Sequence, residues 1–302
     1  MRDVVVIGDG YAGLSAALQL ARSLVDFEVV GRSTPRNILS ARSHGVLGQD
    51  GANPAQLIER GVENLSSYGA TVRDDLVSEI TTSADGFIVN LLSGASILTR
   101  KAILACGVTD VLPQIMGVEE KWGYSILPCP YCHAYEIAGA RMGVLASDRN
   151  SVLTAIFLST WGPVTLFCND EDFDTSWATN HFRLRSIEVE YSKIASFQGE
   201  GSLLENVLLH TGRSIQIDYM FLNTGTKLNI NSLSCLGLTM ETVSGKTRIV
   251  TDDRRQTTVE GLYAIGDIVR FGHNITWAIA DGVTAAIAAH QSLCLDLTRV
   301  SR

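Results

Sequence analysis

Six residues, Gly8-Asp9-Gly10-Tyr11-Ala12-Gly13, constrain this chain more than any other stretch. They follow a short apolar run, Val4-Val5-Val6-Ile7, and precede an Ala- and Leu-rich segment from Leu14 to Arg22. The run has the form of a buried parallel strand, and the segment that of a helix. Phe27-Glu28-Val29-Val30 reads as a second strand, which completes a β–turn–α–β unit. Each glycine then has its own task. Gly8 permits the tight turn, Gly10 lets the backbone approach a pyrophosphate, and Gly13 lets helix and strand pack closely. The helix N-terminus offers N–H groups and positive dipole to phosphate. In this setting G-x-G-x-x-G predicts a dinucleotide site. The bland reading is a Gly-rich turn that holds nothing. The acidic residue expected about 20 positions on, to hold a ribose, is missing. Gly31 and Arg32 stand there, and Glu28 lies inside the strand. The adenosine end is therefore expected to be held differently, partly by Arg32 or Arg36.

Composition narrows the remaining choices. The chain has 302 residues, 46% of them hydrophobic and 19% charged, enough for one large or two ordinary cores. Lys and Arg total 24 against 32 Asp and Glu, a net charge of −8. A negative chain without a Lys/Arg run is a poor polyanion binder, so no nucleic-acid partner is expected. No leader with a basic start and a cleavage site is seen, and the apolar stretches read as shorter than the roughly 20 residues of a membrane span. A cytoplasmic, reducing setting with no membrane association is expected. Six Cys in this length do not make a disulfide scaffold. Cys106, Cys168, Cys235 and Cys294 read as buried small apolar residues. Cys129 and Cys132 form a C-x-x-C pair.

Further along, Phe87–Leu91 and Ser96–Leu98 read as antiparallel strands across a Ser93-Gly94 turn. Ala102–Gly107 reads as another strand ending in a glycine turn. A second βαβ pattern follows: a strand over Met142–Leu145, a helix over Val152–Thr160 and a strand over Val164–Phe167. Its turn, Ala146 to Ser151, lacks all three glycines. After it comes an acidic loop with Asp170, Glu171, Asp172 and Asp174, whose bland reading is a solvated surface loop. Near the end, Gly261-Leu262-Tyr263-Ala264-Ile265-Gly266-Asp267 is a short strand running into Gly-Asp, and an apolar helix is expected from about Asn274 to His290.

The Cys pair is open to several readings. A zinc site needs four ligands, and there is no second C-x-x-C or paired His, so no metal is expected. Cys129-Pro130-Tyr131-Cys132-His133 matches a haem-attachment pattern, which would require export. Two structural cysteines are a further alternative. As a redox pair the spacing is apt, because two intervening residues let the sulfurs meet in one small ring. A short helix from Cys132 to Ala138 would lower the thiolate pKa of Cys132 through its dipole. His133 is a candidate acid/base, or else a hydrogen-bonded helix residue.

An N-terminal G-x-G-x-x-G, a central C-x-x-C and a C-terminal G-L-Y-A-I-G-D, in that order, closely resemble the low-molecular-weight thioredoxin reductase-like flavoproteins. The resemblance covers nearly the whole chain. Pro35-Arg36-Asn37, His44-Gly45, Asp50-Gly51 and Cys129-Pro130-Tyr131-Cys132-His133 resemble the branch of gliotoxin- and holomycin-type dithiol oxidases and of pyridine-nucleotide-independent relatives. The resemblance implies an α/β fold with two Rossmann-like, three-layer ββα nucleotide-binding domains, and a homodimer. The FAD domain would be discontinuous, 1–115 and 223–302, with the C-x-x-C-bearing, NADPH-domain-like segment over 116–222. It implies that Gly8, Gly10, Ala12 and Gly13 cradle the FAD pyrophosphate. Asp267 after Gly266 would accept a hydrogen bond from a hydroxyl of the cofactor, and His273, Asn274 and Ile275 would flank the isoalloxazine. Arg32, Arg36, Asn37, His44, Asp50 and Gly107 complete the implied cofactor set. Cys132 would be the flavin-proximal sulfur and Cys129 the sulfur that exchanges with substrate.

The chain departs from an NADPH enzyme in the second domain. Ala146, Asp148 and Ser151 stand where glycines are expected, and the acidic loop stands where a basic cluster would meet a 2′-phosphate. Side chains there crowd a pyrophosphate, and the carboxylates repel it. NADPH is therefore not expected to be a reductant. Electrons would pass between a thioredoxin-like protein or small dithiol/disulfide and FAD, with oxygen or ferredoxin as the further electron partner. A second ligand such as another flavin could fill the former NADPH site. The alternatives are an NADPH-dependent thioredoxin reductase with a divergent site, and a non-catalytic flavin redox sensor.

Overall fold

A computed structural model describes residues 1–32, 35–170, 172–229, 236–243 and 246–296. Glu171 of the acidic loop and Cys235 lie outside the described residues. The chain divides into two compact units. The first comprises Met1–Ile38, Ala52–Thr109 and Thr226–Arg302; the second comprises Leu39–Gly51 and Asp110–Gly225. Residues 39–51, which the sequence reading keeps with the first segment, thus pack within the second unit.

The first unit is built on a seven-stranded sheet. Its strands are β1 (Arg2–Ile7), β2 (Phe27–Gly31), β3 (Val72–Asp74), β4 (Val77–Ser83), β5 (Gly86–Leu91), β6 (Ser96–Leu104) and β19 (Leu262–Ala264). The order is β3-β2-β1-β6-β5-β4, with β19 also paired to β6. Val4, Val5 and Val6 are fully buried, as a parallel strand covered on both faces requires. The two strands read over 96–98 and 102–107 are one. β6 pairs antiparallel with β5 and parallel with β1 and β19. β17 (Met240–Val243) and β18 (Lys246–Ile249) add a short ribbon, and β7 (Val108–Val111) with β16 (Gly225–Leu228) make a second at the two points where the chain passes from one unit to the other.

Three helices cover this sheet: α1 (Tyr11–Arg22), α2 (Pro54–Ser66) and α7 (Ile275–Leu295). α7 runs five residues beyond the expected end. Its 21 residues make it long and apolar enough to cross a membrane by length and composition, contrary to the reading that no stretch is. Here it packs on α1. A Cβ on Gly282 would overlap the Ala12 carbonyl oxygen and lie 2.8 Å from the Ala16 nitrogen, and Ser15 Oγ donates to the Ile279 carbonyl at 2.8 Å. The helix also carries a buried carboxylate, Asp281, only 1% exposed. Arg255 Nε donates to its Oδ1 at 2.7 Å, and Arg270 donates to both oxygens through Nε and a terminal nitrogen. Asp281→Ala would leave both guanidiniums short of a partner. The expected loss is about 3 kcal/mol, the low end for breaking a buried pair because both arginines reach solvent. Denaturant unfolding checks it.

The second unit holds a five-stranded parallel sheet of order β11-β10-β9-β15-β8. These are β8 (Ile126–Leu127), β9 (Met142–Leu145), β10 (Val164–Phe167), β11 (Glu188–Glu190) and β15 (Tyr219–Leu222). An antiparallel sheet of β12 (Ile194–Gln198), β13 (Asn206–Leu209) and β14 (Ser214–Gln216) stands beside it in sequence. The helices are α3 (Val118–Lys121), α4 (Pro130–His133), α5 (Arg149–Leu158) and α6 (Thr179–Arg185). α5 starts three residues before the expected helix, for a reason that bears on function. Both units are Rossmann-like, a βαβ core around a parallel sheet.

Candidate active site

The two βα turns, so similar in outline, present opposite surfaces to a ligand. In the first unit the glycines of 8–13 behave unequally. A Cβ on Gly13 would overlap the Gly8 carbonyl oxygen, and one on Gly8 would come within 2.7 Å of the Ala105 carbonyl carbon. A Cβ on Gly10 would meet nothing within 4 Å. Gly10 is the N-cap of α1, and no side chain caps that end. The first N–H groups of α1 therefore face open space through a glycine, a cradle that fits a pyrophosphate. The missing acid at the end of β2 also has an explanation. The Asp9 side chain lies over Gly31, where any Cβ would sit 2.6 Å from that of Asp9. The turn itself delivers a carboxylate to the end of β2.

Several of the expected cofactor residues converge in this unit. Arg36 donates to Asp267 Oδ2 at 3.4 Å and to His273 Nδ1. Tyr11, which the motif passed over, donates its hydroxyl to Asn37 Oδ1 at 3.2 Å. Gly266 has φ of +74°, and a Cβ on it would lie 3.0 Å from that of Ala12. Asn274 caps α7 by accepting from Thr276 N at 2.8 Å, so the helix starts at Ile275. Gly107 turns with φ of +65° after β6. Arg32 stands apart, donating from Nε to Asp74 Oδ1 at 2.6 Å on the surface. His44 and Asp50 belong to the other unit.

In the second unit the turn before α5 fills its own anion site. Asp148 is the N-cap, and its Oδ1 accepts from Ser151 N at 2.9 Å. Buried Ser151 reciprocates: its Oγ accepts from Ser147 N at 2.9 Å and from Asp148 N at 3.2 Å. Asn223 Nδ2 adds a further bond to Asp148 Oδ1 at 3.1 Å. Asp-x-x-Ser thus forms a reciprocal capping box, which extends the helix to Arg149 and engages N–H groups a phosphate would need. The Arg149 guanidinium stacks on Trp177 at 4.0 Å. Beyond β10, Asp170 and Asp172 are exposed, and Asp174 accepts from Ser176, which holds its carboxyl below the usual range.

Cys129 and Cys132 are joined in a disulfide with Cα atoms 5.4 Å apart, and both residues are partly exposed. The expected helix from Cys132 to Ala138 forms instead as α4, with Cys129 at its N-cap and Pro130 at its first position. Proline fits there because its missing N–H has no partner to lose. Tyr131 packs edge-on to Trp161, with centroids 6.0 Å apart, and Gly139 N donates to the Trp161 carbonyl at 2.8 Å. Burial holds the His133 imidazole below the ordinary histidine range; Glu136 opposes this shift and His44 adds to it. A neutral imidazole can accept a proton from a thiol. The other described cysteines differ. Burial pushes the Cys106 thiol up to about 12 and the Cys168 thiol to about 11. The Cys106 residue is partly exposed although its side chain packs against the core of the first unit, and Cys294 is exposed, its Sγ 3.4 Å from His290 Nε2, so Cys294 is not the buried residue expected. An open cleft of about 630 Å³, lined by Pro113, Met116, Glu119 and Glu120 among others, includes neither sulfur of the pair. Among the described residues no cluster of metal-binding side chains occurs.

The profile of the pyridine nucleotide-disulphide oxidoreductase family matches residues 2–145 and 167–292. The chain is 29% identical to thioredoxin reductase tcpT of Claviceps purpurea (strain 20.1), over 98% of this chain and 95% of the other. It is similar to the solved oxidoreductase from Agrobacterium tumefaciens, with a TM-score of 0.92 and 34% identity over 98% of this chain and 99% of that one. The structure of HlmI is similar too, with a TM-score of 0.90 and 32% identity over 97% and 92% of the two chains. The chain belongs to the pyridine nucleotide-disulphide oxidoreductase family, among its thioredoxin reductase-like flavoproteins.

Proposed function

We propose that the protein is an FAD-dependent dithiol/disulfide oxidoreductase whose Cys129–Cys132 pair exchanges electrons between substrate thiols and flavin without NADPH. The observation that carries this reading is the contrast between the two turns. The α1 turn is uncapped and open at Gly10, whereas the α5 turn is closed by Asp148 and Ser151. A pyrophosphate at α5 would have to displace a carboxylate and a buried hydroxyl. The same argument stands against a second flavin bound there through its pyrophosphate.

Gly8, Gly10 and Gly13 would hold the FAD pyrophosphate, with Arg36, Asn37, Asp267 and His273 on the remainder of the cofactor. Bound FAD supplies a two-electron acceptor. The protein's own steps are thiol chemistry. His133 takes the proton of a substrate thiol, and the thiolate attacks Cys129 Sγ. The Cys129–Cys132 bond breaks, leaving the electron pair on Cys132. The second substrate thiol then attacks the mixed disulfide and releases Cys129, so substrate leaves oxidised by two electrons and the pair is reduced. The substrate class is a small dithiol or a thioredoxin-like protein, with oxygen or a ferredoxin-type protein as the further partner of a cytoplasmic homodimer.

Anaerobic titration of the flavin-loaded protein tests the reading. A dithiol is expected to bleach the flavin absorbance, and NADPH to leave it unchanged. Rapid bleaching by NADPH would overturn the nucleotide-independent assignment. Failure of both would favour a redox sensor.

A further inference from the structure

The loop 43–51 is built on three left-handed glycines, Gly45, Gly48 and Gly51, with φ of +73°, +76° and +76°. Gly51 N donates to the Ser43 carbonyl at 2.9 Å and Gly45 N to Asp50 Oδ1 at 2.8 Å, which closes the loop. The closure sets His44 between two carboxylates. Its Nδ1 is 3.6 Å from Asp50 Oδ1, and its Nε2 is 3.4 Å from Glu136 Oε1. A neutral imidazole can give an N–H to one of these but not both, so exchanging tautomers moves a proton from one side to the other. Both gaps are ion-pair distances, about half an ångström from hydrogen-bond contact. Side-chain exposure is 39% at Glu136, 20% at His44 and 70% at Asp50, so Asp50 is the most exposed of the three. Glu136 follows His133 by three residues, and both it and His44 act electrostatically on that imidazole.

We propose that this loop is a proton relay for the redox pair, with His44 as a positioning residue that passes the proton taken up by His133, through Glu136, to Asp50 and solvent. The inference rests on the thiol chemistry proposed above. Exchange between a dithiol and the Cys129–Cys132 disulfide conserves protons overall, but each substrate thiol must lose its proton before it attacks, and His133 can hold only one of the two. While the Cys pair stands as thiolates, the other proton needs a carrier. No oxidant beyond the Cys129–Cys132 disulfide is required for this half of the reaction.

The test follows reduction of Cys129–Cys132 by dithiothreitol in the flavin-loaded protein. Samples are quenched by alkylation and read by mass, over about pH 5 to 9. His44→Ala is expected to slow reduction about tenfold, less than the ~10²–10⁴ of a directly acting acid–base group. Imidazole in the buffer should restore the rate. The acid limb of the profile, where His133 becomes protonated, should move up in pH in His44→Ala, which removes a group that lowers proton affinity. It should move down in Glu136→Gln, which removes a carboxylate that raises it. His44→Gln, closer in size, guards against a folding effect. A slow variant with no imidazole rescue and an unmoved limb in both substitutions would overturn the relay alone. A wild-type pair that dithiothreitol leaves oxidised at every pH would overturn the proposed function and the relay with it.

Discussion

Serine in place of Cys132 is expected to cut dithiol oxidation by on the order of 10³-fold or more, the scale of losing a covalent participant. The substituted protein should still fold. The disulfide closes a ring of four residues, and the chain-entropy argument gives such a link only about 2 kcal/mol. Mass spectrometry adds a sharper readout than rate. With Cys132 gone, the Cys129 thiolate can attack an added linear disulfide and expel one of its thiols, and no internal thiol is left to resolve the mixed disulfide, so an adduct should accumulate on Cys129. In Cys129→Ser the adduct should be absent if Cys129 is the exchanging sulfur; accumulation on Cys132 there would reverse the two roles. The background matters for this experiment. Cys106 and Cys168 are protected by their raised proton affinity, whereas Cys294 is exposed to reagent, its Sγ 3.4 Å from His290 Nε2. It should be replaced first.

What the sequence makes legible here is chemistry confined to a few consecutive residues. The glycine turn, the Cys pair and the Gly266-Asp267 step each need particular residue types at fixed spacing, and each folds as a local unit. The expected strands failed where pairing is long-range: β6 is continuous because β5, β1 and β19 all use it, which no local pattern shows. In the sequence Asp148 and Ser151 stand as obstacles to a phosphate. Their three-residue spacing is also a capping signal, and it places the start of α5. Arg32 was drawn toward the ribose by its position after β2, yet the adjacent β3 supplies Asp74 as a partner. The carboxylate over the end of β2 comes from Asp9, and Glu136 meets His44 across a long stretch of chain. Such contacts depend on how the turns are aimed, which residue type alone does not encode.

Alanine at Gly10 and alanine at Gly13 are expected to fail in different ways, and the difference tests whether the first turn is a cofactor cradle. At Gly13 the new methyl would overlap the Gly8 carbonyl oxygen and lie 2.8 Å from its carbon, both backbone atoms that cannot rotate away. Gly8 is itself pinned, its N–H donating to the Val30 carbonyl at 2.8 Å. α1 would have to lift off the sheet, an overpacking cost of about 1–3 kcal/mol that appears without any ligand. Gly13→Ala should therefore lower the melting temperature of FAD-free protein. Gly10 has φ of −74°, which alanine adopts freely, and its Cβ would meet nothing. FAD-free Gly10→Ala should melt like the wild type. Its methyl would nevertheless occupy the space through which the N–H groups of α1 face a phosphate. Loss of that contact is about 2 kcal/mol, roughly 30-fold in Kd. Added FAD should then raise its melting temperature far less than it does for the wild type, because stabilisation follows ligand saturation. An unchanged FAD shift in Gly10→Ala would place the pyrophosphate elsewhere, however well the glycine pattern fits.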